Sequence, residues 1–195
     1  MRSVPIRRRD LLITATSLAA VLPARAADIP RPAPAVRFKS TLGEFDVAQF
    51  KGKVVGLEFL ITTCPHCQKC SQLLQRMYQE YGPRGFQPLG VATNEMAHML
   101  VPDYVKRFGL SFPVGWTPMQ VAHEFLQHPV MLTMYVPQLV FIDRKGVIRA
   151  QYGGQDKFFQ DEEKNMRAQI EMLLKEGSAA GNPGPKKSAA KKSSS

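Results

Sequence analysis

A near-continuous apolar run, Lys53 to Ile61 with Val54, Val55, Leu57, Phe59 and Leu60, leads into Thr63-Cys64-Pro65-His66-Cys67 and then into a helix-patterned stretch. A near-continuous apolar run of that length is the pattern of a strand buried on both faces. From Pro65 to Tyr81, the residues Cys67, Cys70, Leu73, Leu74, Met77 and Tyr81 fall on one helical face, and Pro65 suits a first helical turn. A buried strand feeding a helix through a Cys-x-x-Cys turn restricts the chain to α/β architectures and places thiol chemistry at the junction.

The rest of the chain supplies the other layers. Phe38 to Phe50, interrupted by Gly43, reads as a short hairpin or irregular β-edge, and Phe86 to Thr93 as a second strand. Pro102 to Phe108, closed by Gly109, begins a helix, and Val121 to Gln127 is a further short one. Leu139 to Ile142, the turn Asp143-Arg144-Lys145-Gly146 and then Val147-Ile148 make a hairpin pattern. Asp156 to Lys175 closes the domain as an amphipathic helix with Phe159, Met166, Ile170, Leu173 and Leu174 inward. The order β-α-β-α-(α)-β-β-α asks for a mixed sheet with helices on both faces.

The formal charge of +10 is carried mostly by the ends. Five arginines and Asp10 give +4 over residues 1–26, four lysines give +4 over 177–195, and the body between them carries only +2. A nucleic-acid-binding face would show in the body, so no nucleic-acid partner is expected. Residues 1–26 read as an export signal peptide: Arg7-Arg8-Arg9, a weakly apolar stretch from Leu11 to Leu22, and Ala24-Arg25-Ala26 before a cleavage point at Ala27. Arg8-Arg9-Asp10-Leu11-Leu12 is twin-arginine-like, so the expected location is the periplasm. Residues 27–35 read as a proline-rich linker, 36–176 as the folded domain, and 177–195 as a disordered Lys/Ser/Ala tail. Membrane contact is confined, on this reading, to that tail or to an uncleaved leader.

Cys64 stands where the helix begins, and there unpaired backbone N–H groups and the helix dipole favour a thiolate. Cys67, one turn on, is placed to attack a mixed disulfide from within the molecule. Pro65 stiffens the turn, and His66 adds a donor or a positive charge near the sulfur, which pushes the disulfide toward the oxidising end of the scale. Cys70, another turn on, reads as a buried small hydrophobe.

Gly52 to Phe59, Cys64 to Cys67, Phe112-Pro113-Val114, Val136-Pro137 and Leu139 to Gly146 resemble, in order and spacing, the exported thioredoxins of the TlpA/ResA type. The resemblance covers nearly all of 38–176. It implies a thioredoxin fold, a central mixed sheet flanked by helices, with an N-terminal β-extension and an insertion before the cis-proline. It also implies a protein-disulfide oxidoreductase without a cofactor, acting on periplasmic protein thiols and disulfides and served by a redox partner. By position, Val136-Pro137 matches the cis-proline that guides a substrate backbone, and Glu58 matches the buried acid that moves protons for the second cysteine. A desolvated carboxyl suits that task because burial raises its pKa.

Thr63 stands where the family usually has tryptophan, and Pro65-His66 is the dipeptide of DsbA-type oxidants. Ile61 replaces the threonine that peroxiredoxins place three residues before their cysteine. Two other function classes stay open. One is a soft-metal chaperone that would bind copper or zinc through Cys64, Cys67, Cys70 and His66, aided by His98, His123, His128, Met96, Met99, Met131 and Met134. The other is a redox-inert interaction module on the same scaffold.

Overall fold

The computed structural model describes residues 27–41 and 43–179. The expected export signal and most of the expected tail lie outside these residues. The described residues form one mixed sheet in the order β1-β8-β7-β4-β5-β6-β2-β3. Its strands are β1 Arg31–Pro32, β2 Arg37–Ser40, β3 Gly43–Asp46, β4 Val54–Leu60, β5 Phe86–Ala92, β6 Val114–Trp116, β7 Gln138–Ile142 and β8 Val147–Tyr152. The helices are α1 Pro65–Tyr81, α2 Ala97–Phe108, α3 Met119–Leu126 and α4 Glu162–Ala179.

The central strand β4 pairs in parallel with β5 and antiparallel with β7. Every residue of β4 is buried, which is why its sequence shows no polar alternation. Pleating sorts its side chains into two cores. Val54 and Leu60 join α1, α2 and α4 on one face, with Leu74, Met77, Val101 and Ile170. Val55, Leu57 and Phe59 join Phe38, Phe45 and the α3 residues Ala122 and Phe125 on the other. Glu58 alternates onto the α1/α4 face, where it is the one carboxylate among the buried residues.

The linker expectation for 27–35 needs correction, because Arg31 and Pro32 pair with Ile148 and Val147 as an edge strand. Arg31 is buried there, and its guanidinium donates to the Phe125 carbonyl at 3.1 Å and to Gln151 Oε1 at 2.9 Å. Composition hides this: proline tolerates an edge strand, and the anchoring partners lie about a hundred residues away. Helix α2 begins at Ala97 rather than Pro102, which sits inside it. The first turn is closed by the Met96 carbonyl, which accepts from the N–H groups of Met99 and Leu100. Helix α4 follows a 3-10 turn, Lys157–Asp161, capped by Asp156, and it reaches Ala179, past the expected boundary at Glu176. The N-terminal hairpin joins the sheet by pairing Ser40 with Gly115 of β6, a strand too short to show in the periodicity. A Cβ on Gly115 would collide with the Lys39 carbonyl oxygen, so only glycine lets β2 approach. Among the described residues no helix is long and apolar enough to cross a membrane.

Candidate active site

The β4–β7 register places Phe59 opposite Gln138. The end of β4, which leads to Cys64, therefore lies beside the start of β7, which Val136-Pro137 precede. The Val136–Pro137 peptide bond is cis. Cys64 and Val136 both border the α1/α4-side core. The turn between β4 and α1 is held by its backbone. Cys64 N–H donates to the Ile61 carbonyl at 3.0 Å, Thr62 N–H to Asn94 Oδ1 at 3.0 Å, and Gln68 Nε2 to the Thr62 carbonyl at 3.0 Å.

Cys64 is the N-cap of α1, in extended backbone, and its Sγ accepts from the Cys67 N–H at 3.4 Å. A sulfur in that position meets the positive end of the helix and an otherwise unpaired donor. Cys64 is half-buried, whereas Cys67 is fully buried, and both thiols are free. Burial, and then the nearby charge of Glu58, push the Cys67 thiol well above its usual range. The pair is thus unequal: an outer sulfur that a substrate can reach, and an inner one that reacts only when something takes its proton.

Glu58 is fully buried beside that inner thiol. Burial pushes its carboxyl up to about 8, with the Ser71 hydrogen bond opposing and the charge of Glu162 adding to the rise. Oε2 accepts from Ser71 Oγ at 2.6 Å, and Ser71 Oγ lies 2.8 Å from the Tyr104 hydroxyl. Oε1 has no hydrogen-bond partner. Ser71 and Tyr104 escaped the sequence reading, since a serine inside a helix and a tyrosine on another carry no motif. His66 is half-buried, and its ring stands edge-on to Phe159 with centroids 4.8 Å apart. Its charge acts on the carboxyl of Glu162.

Cys70 is buried as expected, but it is more than packing material. Its sulfur interacts with both Glu58 and Glu162, and burial plus those two charges hold the thiol well above its usual range. Cys70→Ala should keep the thiol exchange of the Cys64–Cys67 pair and cost about 1 kcal/mol of stability, read from denaturant unfolding.

The metal alternative finds no support. Among the described residues no three His, Cys, Asp or Glu side chains gather as ligands. The Cys67 and Cys70 side chains are sealed in the core, His123 and His128 pack ring against ring, and Met134 packs on the α3-side core.

A family model described as Redoxin matches residues 30–170. The thiol-disulfide oxidoreductase ResA of Halalkalibacterium halodurans is 35% identical over 69 residues, which cover 35% of this chain and 39% of that protein. The chain thus spans about two fifths of the length of that curated relative. A solved structure described as a putative thiol:disulfide interchange protein DsbE, from Chlorobium tepidum, superposes with a TM-score of 0.65 at 20% identity, covering 76% of this chain and 99% of that one. A thiol:disulfide interchange protein of the thioredoxin family from the same organism superposes with a TM-score of 0.63 at 25% identity, with the same coverage. The architecture is that of the thioredoxin fold.

Proposed function

Because this chain belongs to the Redoxin family, we propose that it is an exported thiol–disulfide oxidoreductase that exchanges electrons between its Cys64–Cys67 pair and protein thiols or disulfides in the periplasm. The observation that carries this reading is the inequality of the two sulfurs. Cys64 is half-buried at a helix N-terminus, and Cys67 is sealed next to a buried acid. Such an arrangement serves a two-step exchange. Cys64 thiolate attacks a substrate disulfide, and Cys67 then displaces the substrate sulfur while Glu58 receives the Cys67 proton. Run backward, the same steps oxidise a substrate dithiol. Val136-Pro137, at the neighbouring chain end, is placed to lie along the substrate backbone. The leader-like residues 1–26 support the periplasmic location.

The test is to expose the reduced protein to a protein disulfide and map its own cysteines by mass. A Cys64–Cys67 disulfide should form as the substrate is reduced. Cys64 and Cys67 both still free after substrate reduction, or no reduction at all, would sink the reading.

His66 bears on the direction of electron flow. Phe159 holds its ring at the start of α1, where a donor or positive charge adds to the helix dipole and favours the reduced pair. His66→Pro should make the reduction potential of the pair more negative by about 30 mV, the equivalent of one interaction of about 1.4 kcal/mol. An unchanged potential against a glutathione buffer would remove the oxidant-like reading and favour a reductive role.

A further inference from the structure

The exchange reaction leaves Glu58 with a proton in a place that water does not reach. Its side chain is fully buried between β4 and the helices, and it faces Cys67, Cys70 and Ser71 from α1, Tyr104 from α2 and Glu162 from α4. A carboxyl that must load and unload once per cycle needs a connection to solvent. Resting on the oxidoreductase reading above, we propose that Ser71 and Tyr104 are a hydroxyl relay that carries protons between Glu58 and the cavity beside the Cys64 turn.

The two inner links of the chain lie at hydrogen-bond distance. Glu58 Oε2 to Ser71 Oγ is 2.6 Å, and Ser71 Oγ to the Tyr104 hydroxyl is 2.8 Å. Tyr104 in turn lines a cavity of about 620 Å³ together with Thr62, Thr63, Gln68, Leu100 and Phe108. Thr62 and Thr63 belong to the turn that leads to Cys64, so the cavity borders that turn. When Glu58 is ionised, Ser71 donates to it and accepts from Tyr104. When Glu58 is protonated, the chain reverses: Glu58 donates to Ser71, Ser71 to Tyr104, and Tyr104 outward. Each hydroxyl accepts one proton as it gives one up, so neither Ser71 nor Tyr104 ever ionises. Glu58 Oε1 has no hydrogen-bond partner, and the carboxyl acts on the Cys67 thiol through its charge.

The alternative exit runs through the Cys70 sulfur to Glu162. A thiol is a weak donor and a weak acceptor, and it makes a poorer link than a hydroxyl. The hydroxyl chain also closes at hydrogen-bond distances at both of its links.

Cys67 sulfur attacks Cys64 in the mixed disulfide, the Cys64–substrate bond breaks, and its electron pair leaves on the substrate sulfur. The Cys64–Cys67 bond forms, and the Cys67 proton goes to Glu58. Glu58 then passes a proton through Ser71 and Tyr104 to water in the cavity, where the departing thiolate or buffer takes it up.

Stopped-flow mixing of the reduced protein with an aromatic disulfide separates the steps. One coloured thiolate is released when Cys64 attacks, and a second when Cys67 displaces the other half. In Tyr104→Phe the first phase should match wild type, and the second should slow about tenfold at pH values below about 8, where Glu58 starts out protonated and must unload first. Above that pH the deficit should vanish, because Glu58 is already a base. Ser71→Ala should show the same pH-confined deficit, with its crossover moved to higher pH because the carboxylate loses a donor. Cys70→Ala should keep a wild-type second phase below pH 8, with only its crossover moved up, because Glu58 loses the Cys70 hydrogen bond but keeps the hydroxyl chain. Slowing of Tyr104→Phe that is uniform in pH, no slowing at all, or a deficit in Cys70→Ala instead would each overturn the relay. Release of no second thiolate by the wild type would overturn the oxidoreductase reading itself, which keeps the two failures apart.

Discussion

Cys64→Ser should abolish disulfide exchange with protein substrates, and Cys67→Ser should stop the cycle after its first half. The two outcomes differ because the two sulfurs differ in environment. Cys64 is half-buried and caps α1, accepting the Cys67 N–H at 3.4 Å, so its thiolate meets substrate first. A serine hydroxyl in its place stays protonated and does not attack sulfur. Cys67 cannot stand in for it, because its side chain is fully buried and its proton is held by burial and by Glu58. Cys67→Ser leaves the first attack intact and removes the group that resolves the mixed disulfide. Covalent complexes should therefore accumulate on non-reducing gels and disappear on adding reductant. Turnover in Cys64→Ser equal to wild type, or complexes trapped by Cys64→Ser rather than Cys67→Ser, would reverse the assigned roles.

Glu58→Gln should slow resolution by the inner thiol about a hundredfold and flatten the dependence of stability on pH. The amide fills the same space and accepts the Ser71 bond, but it takes no proton from Cys67. The stability effect follows from the raised carboxyl. In the folded state Glu58 titrates at about 8 against an ordinary 4.5, so the native protein holds a proton that the unfolded chain has released. Its contribution is therefore fully present below about pH 4.5 and is lost as pH rises through about 8. Each decade of pH within that window is worth about 1.4 kcal/mol, so ionising the buried acid costs the fold about 4 to 5 kcal/mol. The difference in unfolding free energy, wild type minus Glu58→Gln, should fall by that order between pH 4.5 and pH 9. Urea unfolding of both proteins across the range measures it. A difference that stays constant with pH would show that Glu58 is not a desolvated acid in the native state.

The strand and helix that carry the cysteines were legible because their signals are local. An apolar run, a proline at the first turn and residues at helical spacing do not depend on the rest of the chain, and α1 runs over the stretch the spacing indicates. Strands at the margin were not legible. Arg31–Pro32 reads as linker by composition, yet it is an edge strand because Arg31 finds the Phe125 carbonyl and Gln151. The three residues of β6 are too few to show periodicity, and Gly115 matters there only for the backbone it lets in. Pro102 misplaced the start of α2 because proline's preference for a first turn yields when the surrounding helix is packed in place.

What the sequence determined by itself is the placement of two thiols one helical turn apart after a buried strand, with an acid inside that strand. Those are properties of spacing and hydrophobicity along one stretch of chain. The tertiary structure decided everything that depends on which segments face one another. The β4–β7 register sets the cis Val136–Pro137 bond beside the Cys64 turn. Packing of α2 against α1 brings the Tyr104 hydroxyl to Ser71, and packing of α4 brings Glu162 to Cys70. The side chains that surround Glu58 come from three helices separated along the chain. Desolvation by all of them at once turns an ordinary glutamate into a group that holds its proton near neutral pH, and no single stretch of residues encodes that sum.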